Sequence, residues 1–413
     1  MKTNIKALPV LRPVLLLPFI LVAFSGNRLL AATTESNLSK TFTVQPGGHL
    51  VVEVDRGSIE ITTSDTTEVK IEVERKVTRE SSSKATELFS AHEVTFDQDG
   101  NRVEVHAKFK KEWFQIFNSA AQHLEVRYRV AVPQRFNLDL RTSAGGISST
   151  DIEGTVKART AGGGLNFGAV RGEMDGATSA GGIELQSATG RVGVRTSGGS
   201  IVLGEMGAET SAETSAGSIH IKKAAAKLTA TTHGGSLELG ELVGPARVET
   251  SAGSITVERA KAQLTAITHG GRIEAGELGG PAELVTSAGE IKVKAAHDTL
   301  VARTSGGGVH IDDARDTVTA HTSAGSISIK FSAQPHGDCE LTTSGGGIEL
   351  TLVGPLSFDL DARTGGGRVI TEVPVTTTVV GEHNRSGLNG KINGGGKALV
   401  LRTSAGDINL KKE

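Results

Sequence analysis

Between residues 142 and 330 the apolar and polar positions keep one phrase of 18 residues. Numbered from the threonine that opens it, position 6 is always aliphatic, as in Ile147, Leu165, Ile183, Ile255 and Ile327. Position 8 is mostly so, as in Leu185, Ile221, Leu239 and Ile329, while positions 7 and 9 are mostly polar or glycine. Alternation with period two predicts a strand with one buried face. A second strand is predicted at positions 15–17, as in Leu228/Ala230, Leu264/Ala266 and Val318/Ala320. Counting on in twos turns the next threonine inward, where its hydroxyl can bond along the stack, to the next threonine or to backbone. Position 2 then points outward and carries mostly serine, or histidine at His233 and His269. Position 4 is glycine in every copy from Gly145 to Gly325, as a turn with positive φ or close backbone approach requires.

Eleven threonines, from Thr142 to Thr322, stand 18 residues apart without a slip. A period held that strictly is the signature of a solenoid, each repeat one coil stacked on the last. A slower rhythm of 36 residues runs through it. Position 11 alternates small and large (Ala188, Met206, Ala224, Leu242, Ala260, Leu278), and position 15 alternates in antiphase (Val192, Thr210, Leu228, Ala246, Leu264, Ala282). This keeps the core volume per coil nearly constant. The fold class is therefore all-β, a parallel β-solenoid with 18-residue coils rising about 4.8 Å each. Apolar spacing at every sixth residue is absent, which favours a right-handed β-helix over a left-handed prism.

The ends are less regular. After Thr322 the spacing loosens to Thr343 and Thr364, Arg385-Ser386-Gly387 reads as a degenerate copy, and Thr403 opens the last phrase. Upstream, Gly57-Ser58-Ile59-Glu60-Ile61 matches the coil strand, so the solenoid is expected to begin near residue 41. Residues 80–123 break the pattern and read as a capping insertion, with a loop at Ser81-Ser82-Ser83 and a hairpin turn at Asp99-Gly100. Phe109, Trp113, Phe114 and Phe117 crowd together there beside Lys108, Lys110 and Lys111. Such a group either caps the open end of the solenoid or forms a contact patch for a partner or membrane surface. The expected organisation is a signal peptide and short leader (1–32), an N-terminal β region with the insertion (41–141), and the regular solenoid with looser last coils (142–413).

Export is read from the first residues. Lys2, Lys6 and Arg12 precede a short apolar run, Val14 to Phe24, followed by small-residue cleavage sites at Ala23-Phe24-Ser25 or Ala31-Ala32. That run is too short to span a bilayer, which needs roughly 20 residues. The mature chain is thus expected to carry no transmembrane segment and to be periplasmic, cell-surface or secreted. The net charge is −2, with 44 basic against 46 acidic residues, which argues against nucleic acid as a partner. Cys339 is the single cysteine, so an intrachain disulfide is excluded.

The opening F-x-V-x-P-G-G-x-L (Phe42 to Leu50), the GSIxI strand, the serial T-S-x-G-x-I phrases and the closing TSAGDINL (Thr403 to Leu410) together resemble the bacterial putative-adhesin family of unknown function. The resemblance covers nearly everything after residue 41. It implies a β-helix-like fold of strand repeats and brings no catalytic residues.

A search for chemistry returns little. Gly394-Gly395-Gly396-Lys397 is followed by Ala398, where a phosphate loop needs Ser or Thr. The turns lack the aspartates of a calcium β-roll. His233 and His269 lie two coils apart, roughly 9.6 Å by strand spacing, too far for one metal. Asp312, Asp313, Arg315 and Asp316 form the one acidic–basic knot and the best enzyme candidate. The sequence thus points to a non-catalytic exported surface or envelope protein with an unnamed partner there, without cofactor or metal. The contact residues would be Phe109, Trp113, Phe114 and Phe117. The rival is a β-helix polysaccharide lyase or hydrolase.

Overall fold

The structure, a computed structural model, describes residues 33–110, 123–377 and 386–413. Each coil gives one strand to each of two facing sheets, and successive coils pair in parallel at a spacing of 18. Ile183 lies opposite Ile201 and Val192 opposite Thr210. The phrase legible in the sequence is the coil. In Ile201–Met206, positions 6, 8 and 11 are buried, which leaves Gly204 and Glu205 together on the outer side. Two consecutive outward residues mark a break in the pleat that recurs up to Val309–Ala314 and is absent from Ile327–Phe331. Glycine fills position 9 on alternate coils (Gly168, Gly204, Gly240, Gly276), so the 36-residue rhythm extends to the backbone. A Cβ at Gly240 would overlap the Lys222 carbonyl below it. The antiphase pairs at positions 11 and 15 are all buried, from Ala188 and Val192 to Leu278 and Ala282.

The inward threonine meets backbone, not its neighbouring threonine. Thr250 Oγ1 donates to the Gly235 carbonyl of the preceding coil at 2.8 Å and accepts from the Gly253 N–H of its own coil at 3.3 Å. The same pair of bonds recurs at Thr160, Thr178, Thr196, Thr214, Thr232, Thr268, Thr286, Thr304 and Thr322. Close approach, and not positive φ, makes position 4 glycine: a Cβ at Gly253 would overlap the carbonyl of Gly235. Gly145, in the first regular phrase, alone among these glycines has a positive φ, 131°.

At both ends the order of coils in space departs from their order in the chain. The strand Gly48–Val54 lies between Phe136–Thr142 and Arg102–Phe109, parallel to both. Ser58–Ser64 likewise lies between Ile147–Ser149 and Leu124–Pro133. The coil built from 102–109 and 124–133 therefore sits outside the one at 48–64, although it comes later in sequence. Part of the expected insertion is thus itself a coil strand. Antiparallel strands finish this end: His92–Asp99 on Arg102–Phe109, Glu68–Thr78 on Leu124–Pro133, and Thr33–Thr43 on Glu68–Thr78. Among the described residues the first strand begins at Thr33 and the first coil strand at Gly48. Ser81, expected in a loop, caps the helix Ser82–Ala91, its hydroxyl accepting from the Lys84 N–H at 3.3 Å.

The other end repeats the device. The last strands of the chain, Lys397–Thr403 and Ile408–Lys412, slot between Cys339–Thr343 and Phe358–Thr364 in one sheet, and between Ile348–Leu352 and Val369–Thr371 in the other. The threonine ladder follows this spatial order: Thr403 donates to Gly346 and Thr364 to Gly406, at 2.7 and 2.8 Å. Gly387–Ile392 is not a degenerate coil. It runs antiparallel on Phe358–Thr364, with Val375–Thr376 beside it. Among the described residues no helix is long and apolar enough to cross a membrane.

Three substitutions test the ladder. Thr250→Val strands the Gly253 N–H and removes one donor from Gly235, and is expected to cost about 1–3 kcal/mol of local stability. Exposed Ser251→Ala should stay within about 0.5 kcal/mol. Gly253→Ala, which must push two coils apart, should cost more than either. Hydrogen exchange across residues 235–268 reads all three, because a long repeat array does not unfold in two states.

Candidate functional site

The exterior of the regular coils carries the same groups over and over. His233 and His269 are exposed at their turns. Charges alternate in sign up the outer side of one sheet and pair between coils: Lys223 with Glu241 at 3.2 Å, Glu241 with Lys261 at 2.5 Å, Arg259 with Glu277 at 2.8 Å.

The acidic knot is assembled, but as a fastening. Asp313 accepts from Arg315 Nε at 2.8 Å and from the Ser332 hydroxyl. Partial burial works to raise its pKa, and these two bonds outweigh it and hold the carboxyl below its ordinary range. Asp316 accepts from the backbone N–H of His336 at 3.0 Å, from the His336 ring at 2.9 Å, and from Thr317. There too burial opposes, the hydrogen bonds win, and the pKa falls to about 2. Asp312 pairs with His310 at 2.7 Å. Glycoside hydrolysis needs one carboxyl kept protonated as general acid. Asp313 and Asp316 are held ionised and spent on tying adjacent coils together.

A second group that does not repeat lies at the N-terminal end, where the corner after Gly48–Val54 meets the antiparallel cap. Arg75 is 7% exposed. It donates to the carbonyls of Phe89 and His92 at 3.0 and 3.2 Å and to the Ser36 hydroxyl at 2.7 Å, so one guanidinium ties the helix end to the edge strand. It also lies over the Phe89 ring at 5.2 Å. No carboxylate pairs with it among the described residues. His92, 1% exposed, faces Tyr128 Oη at 3.4 Å and Asp55 Oδ1 at 4.0 Å. Burial first, then the charges of Arg75 and Arg56, lower its pKa to about 4. Burial raises those of Asp55 and of Tyr128. His92 Nδ1, Asp55 Oδ1 and Arg75 Nε are buried without hydrogen-bond partners.

Phe109 belongs to this node. Its N–H donates to Asp55 Oδ2 at 2.8 Å, its ring lies 5.2 Å from that of His92, and Arg56 stands 5.8 Å from its centroid. Trp113, Phe114 and Phe117 lie outside the described residues, as do residues 1–32 and Arg385. The sequence did hold a signal for the rest. Arg75 occupies the inward phase of Val69, Ile71, Val73 and Val77, where a charge is out of place, and Tyr128, the one tyrosine, shares the inward phase of its strand. No group of three or more His, Cys, Asp or Glu residues fit to hold a metal occurs among the described residues.

Among solved structures the chain is similar to a "putative cell adhesion protein" from Clostridium sporogenes, at 10% identity over 92% of this chain and 100% of that one, with a TM-score of 0.18. It is similar to a "putative adhesin" from Bacteroides fragilis at 14% identity (63% and 96% covered, TM-score 0.29). A third, a "putative adhesin" from Parabacteroides merdae, is 13% identical (62% and 95% covered, TM-score 0.30). No curated protein matches the chain. A family match runs over residues 48–411, from the first coil strand to the last. The chain belongs to the Toastrack DUF4097 family.

Proposed function

We propose that this protein is an exported, non-catalytic surface or envelope solenoid that binds in the manner of an adhesin. The observation that carries the reading is the sameness of its exterior. Coil after coil presents the same small turn, and from Lys223 to Glu277 the outer charges alternate and pair between coils, so a partner meets many similar weak contacts. Affinity from such a surface comes through multivalency. The basic, apolar and small-residue order of the first 32 residues supports export.

Two measurements check this. Mass spectrometry of the chain recovered from its native envelope should show a mature N-terminus after Ser25 or Ala32, and a start at Met1 in the cytosol overturns export. A glycan-degradation screen of the wild type and of Asp313→Ala should show no turnover by either. Turnover by the wild type that Asp313→Ala abolishes would establish the lyase or hydrolase reading instead.

A further inference from the structure

The buried node at the N-terminal end does no work for the repeated exterior. It places an imidazole with no exposure against a guanidinium that has no carboxylate partner among the described residues, at the one place where the edge strand, the helix and the outermost coil meet. We propose that the N-terminal cap is an acid-sensitive latch: protonation of His92 beside Arg75 loosens the strand Thr33–Thr43 and the helix Ser82–Ala91 from the end of the solenoid.

The groups facing His92 define the balance. Arg75 reaches it from Glu68–Thr78, Asp55 and Arg56 from the corner after Gly48–Val54, and Tyr128 from Leu124–Pro133, while Phe109 covers one face of the ring. With the imidazole neutral, its Nε2 can accept from the Tyr128 hydroxyl. Once charged, that nitrogen becomes a donor, and the ring adds a second buried positive charge next to Arg75 and Arg56. The one anion at hand is Asp55. Burial disfavours its ionised form, which makes it a weak counter-ion for the charged ring.

The two shifts have opposite signs. His92 is depressed, from 6.5 to about 4, so the stability it contributes is present above pH 6.5 and is lost as pH falls toward 4. Asp55 is raised, so its ionised form costs stability at neutral pH and relents on acidification, which partly offsets the loss. From His92 alone the opening constant of the cap rises on the order of 10²-fold between pH 7 and pH 4.5. In the body the threonine and glycine groups that recur at every coil junction do not titrate, and Asp316 stays ionised down to about pH 2.

Hydrogen exchange with mass spectrometry on the full chain, corrected for the intrinsic pH dependence of exchange, reads the latch. Peptides covering residues 33–43 and 82–91 should lose protection by tens-fold to 10²-fold at pH 4.5 relative to pH 7, while residues 228–268 keep theirs. His92→Phe should abolish the acid response, and His92→Gln should do the same if the phenylalanine variant folds poorly at pH 7. Asp55→Asn should retain it and enlarge it. Cap and body loosening together, or an undiminished response in a folded His92 variant, overturns the proposal.

Discussion

One hydroxyl holds each coil to the next. The threonine that closes a turn accepts the N–H of a glycine in its own coil and donates to the carbonyl of the equivalent glycine below, as Thr232 does with Gly235 and Gly217. Three demands on the sequence follow. The residue must be small and carry both donor and acceptor, its partner must lack a Cβ because two backbones pass at contact distance, and the spacing between them must never vary. The bond fixes where a coil closes, and the longer coil that ends at Thr343 keeps it too, through Gly325 and Gly346. The apolar ladders adapt within a constant coil, which is why positions 11 and 15 trade volume in antiphase and neither coil grows.

A stack of coils has two ends, and each end is a row of unpaired strand edges open to association. Here both are finished the same way. A coil later in the chain passes outside an earlier one at the N-terminal end, and at the C-terminal end the last coil is inserted inside its predecessor, with antiparallel strands laid on the outermost coil in each case. Val54 shows what terminates the ladder. It lies opposite Thr142 where another threonine would stand, and Ala107 lies opposite it in turn, so the last rung runs from Thr142 to the Gly57 carbonyl and the two outermost coils join each other without the hydroxyl bridge. Side-chain ties at the N-terminal end run through Arg127 and Arg129 to Glu60 on the exterior and through Arg75 and Asp55 inside.

The regular body was legible because its period is local: one threonine, one glycine and two short apolar runs are enough to place every coil strand. The spatial order of the terminal coils was not legible, because strands such as Gly48–Val54 and Lys397–Thr403 read the same whichever neighbours they take. Ser81 was misread for a related reason. A serine run marks a turn or a helix cap equally well, and the deciding partner, the Lys84 N–H, is backbone and leaves no trace in sequence. The node was half visible. Arg75 broke the parity of an otherwise apolar face, but its ties to Phe89, His92 and Ser36 join elements 14, 17 and 39 residues away, beyond any local pattern.

Repetition also separates what the two parts of the molecule can do. On the body, a group placed once is placed on every coil, so its charges can do little beyond pairing with those above and below. The alternation of Lys223, Glu241, Arg259 and Glu277 penalises a one-coil slip of register, since a slip sets like charges side by side. Exposed pairs of this kind contribute little stability each. Their value lies in specifying register along a stack whose coils are otherwise nearly interchangeable. Individual chemistry arises most readily where the repeat stops, because there a histidine, an arginine and an aspartate meet in the core without copies of themselves about 4.8 Å away, the rise of one strand. The terminal node is therefore the place in this architecture where a response to conditions can be built without altering the rod.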